Sequence, residues 1–143
     1  MPYSPEEVAD RLALRELVER YARIPDDRDY ALVDEIFSED ATLAGPGFEL
    51  AGREAIRAAM QQIEQYSATL HCVHNHLVEI DADAATGEVW CVANHLHEVD
   101  GVPSKLDWGI RYRDAYAREA GSWRIARREL ELVWQQDGPL RAG

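Results

Sequence analysis

Asp26 stands in Tyr21-Ala22-Arg23-Ile24-Pro25-Asp26-Asp27-Arg28-Asp29-Tyr30. His71 follows forty-five residues later, in Thr69-Leu70-His71-Cys72-Val73-His74-Asn75-His76. A carboxylate just after one helix and an imidazole opening a strand can meet in a fold that lays helices on a curved sheet. A carboxylate that orients an imidazole and stabilises its charged form makes a general base near neutral pH. Each residue also has a plainer use. Asp26 or Asp27 can cap the turn after Pro25, and His71 can be a half-buried strand histidine bonded to a backbone carbonyl.

Four more histidines, His74, His76, His95 and His97, fall in two consecutive strand-like segments. Strand alternation puts His74 with His76 on one face, and His95 with His97 on one face. Which pairs share a side depends on the hairpin register. If Ile80 pairs with Val89, all four join Cys72 and Cys91 on one side, a set suited to Zn²⁺ or Fe²⁺. If Glu79 pairs with Cys91, His95 and His97 instead join His71, Val73 and Asn75, leaving His74 and His76 outside.

The elements that must hold these groups are well marked. Ser4, Pro5 and Glu7 form the start of a helix, with Ser4 capping and Glu7 closing a capping box. Val8, Leu12, Leu14, Leu17, Val18 and Tyr21 form its apolar stripe, and Pro25 ends it. Asp29 caps a second, short helix that turns Leu32, Val33, Ile36 and Phe37 inward. Ala41 to Ala44 reads as a short strand and Gly45-Pro46-Gly47 as a turn. Gly52-Arg53-Glu54 starts a third helix carrying Ile56, Ala59, Met60 and Ile63 on one side.

Beyond Gln65 the apolar period changes from helical to two. Residues 69–81, 88–100, 108–118 and 123–134 read as four long strands, joined by segments rich in turn residues. Three helices followed by an antiparallel meander predict an α+β fold with the helices on one sheet face. Trp108, Ile110, Tyr112, Asp114 and Tyr116 share one side of a strand, with Arg111 and Arg113 on the other. Arg124, Arg127 and Arg128 alternate with Glu129 and Glu131 as a salt-bridged outer surface.

The chain of 143 residues predicts one domain, 1–143, able to bury about 68–70% of its unfolded surface. A net charge of -12 argues against nucleic acid and anionic membranes, which need clustered cations. No stretch has the ~18 apolar residues of a membrane span, and the start, Met1-Pro2-Tyr3-Ser4, has no leader pattern. With two cysteines, Cys72 and Cys91, a cytoplasmic chain with reduced thiols is expected.

The segments 11–22, 26–30 and 37–41, with Gly52-Arg53-Glu54-Ala55-Ile56 and Trp123-Arg124-Ile125-Ala126, together resemble the SnoaL-like domains of the NTF2-like superfamily. That resemblance implies a cone of three N-terminal helices on a curved, mainly antiparallel sheet. Its members include polyketide cyclases, scytalone dehydratase, bile-acid dehydratase and a hexachlorocyclohexane dehydrochlorinase. By the resemblance, Asp26 and His71 fall where the dehydratase and dehydrochlorinase members place their pocket aspartate and catalytic histidine. In scytalone dehydratase a tyrosine precedes the aspartate, whereas Pro25 stands here, and Tyr21 is the possible substitute.

The resemblance favours the second hairpin register, without a metal. The expected enzyme is a cofactor-independent lyase or isomerase (dehydration, elimination, isomerisation or cyclisation) in which His71 takes a proton and Asp26 fixes its tautomer. Tyr21, Asn75, His95, His97 and Tyr112 are the candidates for hydrogen bonds to the developing oxyanion, and Phe48 and Met60 for the pocket mouth. The expected ligand is a small, largely apolar ring system of polyketide, steroid-like or terpenoid kind. The broad sheet face points to a homodimer. The alternatives are a non-catalytic binding or assembly module of this fold, and a metal-dependent enzyme using the histidine-rich hairpin.

Overall fold

The structure is a computed structural model that describes residues 2–141. The expected 1–143 span therefore runs past it by Met1, Ala142 and Gly143. Ser4 opens α1 (Pro5–Tyr21), its hydroxyl accepting the Glu7 N–H at 3.1 Å. The Glu7 carboxylate does not close the expected box and instead takes the Arg11 guanidinium at 3.0 Å. Leu14, Leu17, Val18 and Tyr21 are buried, but Val8 is exposed and Leu12 is 67% exposed. Leu12 and Leu14 lie about 200° apart around a helix, so one buried stripe cannot hold both. The helix ends at Tyr21. Pro25 sits inside a separate turn, α2 (Arg23–Asp26), in a first-turn place where no backbone N–H is required.

A 3₁₀ turn (Tyr30–Leu32) leads into α3 (Val33–Ile36), and Asp29 precedes it without a side-chain cap bond. Phe37, expected on that helix, opens β1 (Phe37–Gly45) and is buried. An unforeseen strand, β2 (Phe48–Ala51), pairs back onto β1 before α4 (Arg53–Met60) and a 3₁₀ turn (Gln61–Gln65). The helical layer thus has three bodies: α1, the α2–α3 pair and α4.

The four predicted strands are present and longer than expected: β3 (Ala68–Asp81), β4 (Ala84–Val99), β5 (Val102–Glu119) and β6 (Ser122–Pro139). Asp100 with Gly101, and Ala120 with Gly121, all have positive φ. That is the signature of two-residue turns whose twist matches the strands they join. The sheet runs β2-β1-β6-β5-β4-β3, with β1 parallel to β6 and every other pair antiparallel. It is open, mixed and curved, the cone of the NTF2-like fold, with the helices covering its inner face. Among the described residues no helix is long and apolar enough to cross a membrane.

Neither expected register of the β3–β4 hairpin forms. The turn is only two residues, so Ile80 meets Ala85 and Glu79 meets Thr86. Val73 pairs with Cys91 and the next pair is His76 with Val89, so His74 and Asn75 together face one residue of β4. This bulge inserts an extra residue and reverses which side the strand presents. Above it Thr69, His71 and Val73 look inward with Cys91, Ala93 and His95. Below it His76 looks inward, contrary to expectation, and Asn75 is left exposed.

A second bulge has the same effect on β6. Ala115 pairs with Arg127 but Tyr116 pairs with Ile125, so Ala126 is extra, and Ile125 and Arg128 face the same way. Arg128, expected on the outer surface, is a core residue 1% exposed. The outer face keeps Arg111 against Glu88 at 2.8 Å and Arg113 against Glu131 at 2.8 Å.

Candidate active site

β3 is an edge strand, so some of its backbone groups have no strand to bond. Asp26, at the end of α2, meets them. Its Oδ2 accepts the His71 backbone N–H at 2.8 Å, and its Oδ1 accepts the Thr69 hydroxyl at 3.0 Å. The same Oδ1 lies 2.7 Å from Nδ1 of the His71 ring. Arg15 extends this edge coverage by donating to the carbonyl of His74 at 2.7 Å. Burial works against the Asp26 charge. The bonds from the His71 ring and backbone, with that from Thr69, outweigh it and hold the carboxyl below its ordinary pKa. A carboxylate has no hydrogen to give, so Nδ1 carries the proton and Nε2 of neutral His71 is bare.

His71 lines a cavity of about 360 Å³. Phe48, Leu50, Met60 and Ile63 form its side toward β2 and α4, while Tyr21, Ile110 and Tyr112 come from α1 and β5. His95, Tyr66 and Trp108 complete the part around His71. The His95 ring lies 6.2 Å from that of His71, 4.7 Å from Tyr66 and 4.9 Å from Trp108, centre to centre. Its Nδ1 donates to the Leu106 carbonyl at 2.9 Å. Burial lowers the pKa of His95, and the bond to Leu106 only partly offsets it.

Of the residues expected here, Tyr21, Phe48, Met60, His95 and Tyr112 line the cavity with His71, and Asp26 stands behind the His71 ring. Asn75 does not, because the bulge turns it out. His97 does not line it either; it lies at the edge of the Tyr66 ring and bonds Asp137 at 3.1 Å. Thr69 and Tyr66 contribute to the surroundings of His71 without having been expected there. Thr69 was legible only as a strand residue, and Tyr66 falls between the helical and strand periods. Tyr66 is tied down by Arg28, which donates to its carbonyl at 2.7 Å. The four-histidine arrangement is not formed, because the bulge puts His76 inside while His74 remains exposed. Among the described residues no three His, Cys, Asp or Glu side chains are grouped as metal ligands.

Next to the cavity runs a buried polar chain. Arg128 gives two bonds to Asp114, at 2.8 and 2.7 Å, and its guanidinium lies 4.3 Å from the ring centre of Tyr21 and 3.9 Å from that of Tyr112. Tyr116 donates to Asp114 at 2.6 Å, so His76 must donate its Nε2–H to the Tyr116 oxygen, 3.0 Å away. Burial pushes the pKa values of Tyr21 and Tyr112 up, with Arg128 pulling the other way, so both phenols keep their protons.

Burial also brings His76 down to about 4; Asp114 and Glu19 oppose this, and Arg15 and Arg128 add to it. The unfolded chain then takes up a proton near pH 6.5 that the folded one refuses until about pH 4. Stability should therefore fall as pH drops through that window and level off below it. The upper bound is roughly 3 kcal/mol, less because the ring is partly exposed. Urea midpoints at pH 7.5 and 5 should show the loss, and His76→Phe should flatten it. An equal slope in the variant would exclude this ring as the source.

Residues 6–129 match the model of the SnoaL-like domain. The uncharacterized protein Rv2910c of Mycobacterium tuberculosis is 27% identical over 136 residues, which is 93% of this chain and 92% of that one. A scytalone dehydratase-like protein of Novosphingobium aromaticivorans superposes with a TM-score of 0.83 at 21% identity, covering 96% of this chain and 93% of that one. A type 2 hexachlorocyclohexane dehydrochlorinase superposes with a TM-score of 0.81, also at 21% identity and with the same coverage. At that identity the two structures speak for the fold.

Proposed function

From the premise that this chain belongs to the SnoaL-like domain family, we propose that it is a cofactor-independent lyase or isomerase in which His71 abstracts a proton and Asp26 stabilises the resulting imidazolium. The observation that carries this reading is the 2.7 Å Nδ1–Oδ1 contact, which leaves a bare Nε2 on an apolar cavity. The proton removed lies beside a carbonyl. Its electron pair moves toward the carbonyl oxygen, and the enolate then expels a β-leaving group, which departs with the proton held on His71, or is reprotonated elsewhere by that proton. Tyr21 and Tyr112, held protonated by burial, are the donors for the developing oxyanion. A cavity of about 360 Å³ suits a compact, largely apolar ring system.

The test needs no knowledge of the natural substrate. A panel of cyclic β-hydroxy ketones in D₂O should show loss of water or deuterium uptake at the α-carbon with wild-type protein, and neither with Asp26→Asn. A protein that only binds would retain the same ketones without exchange, and that result would end the enzymatic reading.

The homodimer is proposed for the outer sheet face, where Leu70, Leu77, Val133 and Trp134 stand exposed. Isolated apolar side chains are ordinary, but four on one face give a second copy something to cover. Sedimentation of a monomer at micromolar concentration would remove this proposal.

A further inference from the structure

His71 and His95 bring two imidazoles to one part of the cavity, and both spend Nδ1 on an acceptor. For His71 the acceptor is a carboxylate, and for His95 it is the Leu106 carbonyl at 2.9 Å. A carbonyl can only accept, so Nδ1 of His95 carries the hydrogen and the neutral ring presents a lone pair at Nε2. Among the described residues no donor reaches that Nε2. The ring is 2% exposed and lies between Tyr66 and Trp108, which fix its plane.

The difference between the two partners decides the roles. Asp26 compensates a charge on His71, whereas a carbonyl gives His95 no charge of opposite sign. Burial and the neighbouring His71 both disfavour protonation of His95. Expected among the donors to an oxyanion, His95 is by its hydrogen bonding an acceptor instead.

We propose that Nε2 of His95 accepts a hydrogen bond from a hydroxyl group of the ligand, so that the cavity selects hydroxylated molecules over halogenated ones of the same shape. An alcohol or phenol can donate to the lone pair. A carbon–halogen group brings lone pairs of its own and leaves Nε2 desolvated and unpaired. This deepens the proposed function, on which it rests for the use of the cavity, by naming the substrate class: a hydroxy compound whose hydroxyl hydrogen His95 accepts.

The first test is ¹⁵N–¹H correlation of the histidine rings in the wild-type protein at pH 7.5. The expected His95 ring has a protonated Nδ1 and a bare Nε2; a protonated Nε2 would overturn the proposal without any variant. The second test uses 2-indanol and 2-chloroindane as probes. The alcohol should bind about tenfold more tightly and should shift the Nε2 resonance of His95. His95→Phe should equalise the two, whereas His71→Ala should keep the preference. Equal affinities in the wild type would overturn the proposal. The outcome is separable from that of the proton-abstraction reading, since turnover could still depend on His71 with no alcohol preference, or the preference could persist with no turnover.

Discussion

Replacing His71 with alanine is expected to lower turnover by about 10²–10⁴-fold, the usual worth of a positioned general base. The residual rate would come from the cavity and from hydrogen bonds at Tyr21 and Tyr112, which the substitution does not touch. Asp26→Asn should cost a comparable factor for a different reason. The asparagine can still accept the His71 backbone N–H, so the α2–β3 contact survives. Its amide can also donate to Nδ1, which would move the ring proton to Nε2 and occupy the lone pair that must take the substrate proton. The analogous change in the serine-protease triad loses about 10⁴ in kcat. Both variants should unfold within about 2 kcal/mol of the wild type, because the contacts they disturb are at a partly exposed strand edge. Rates within twofold of wild type in both would take these residues out of the mechanism.

Pro25-Asp26 ends the first helical layer and Thr69-Leu70-His71 opens the strands, so residue types and chain order allowed the two to meet without excluding an aspartate that only caps a turn. The resemblance to the SnoaL-like domains singled the pair out. What alternation cannot show is a bulge. Nothing in His74-Asn75-His76 or Ile125-Ala126-Arg127-Arg128 marks the residue at which the strand reverses its faces. One extra residue in β3 put Asn75 and His76 on the wrong side, and one in β6 did the same for Arg128. The turn at Ala82-Asp83 was hidden for a related reason: Asp81 to Gly87 is rich in turn formers, yet five of those seven residues are strand. β2 was missed because four residues, three of them exposed, carry too little periodicity to register.

Asp114→Ala should be the most damaging single change to the fold. Arg128 is 1% exposed, and both bonds of its guanidinium to a carboxylate go to Asp114. Removing the carboxylate leaves a cation in the core with only the faces of Tyr21 and Tyr112 beside it, at a cost of about 3–5 kcal/mol. In a protein of this size that is a fall in Tm of about 10–20 °C. Adding Arg128→Met should recover much of the loss, since a buried ion pair replaced by apolar groups of similar volume is often neutral. Tyr116 then has no carboxylate to bond, but it can turn its hydroxyl hydrogen to His76, provided that ring moves its own proton to Nδ1. The double variant should therefore be folded and yet impaired, because Tyr21 and Tyr112 lose the cation that lies against both rings on the cavity wall. If Asp114→Ala instead unfolds within about 1 kcal/mol of wild type, the guanidinium has found water. The pair would then be no structural element of the core.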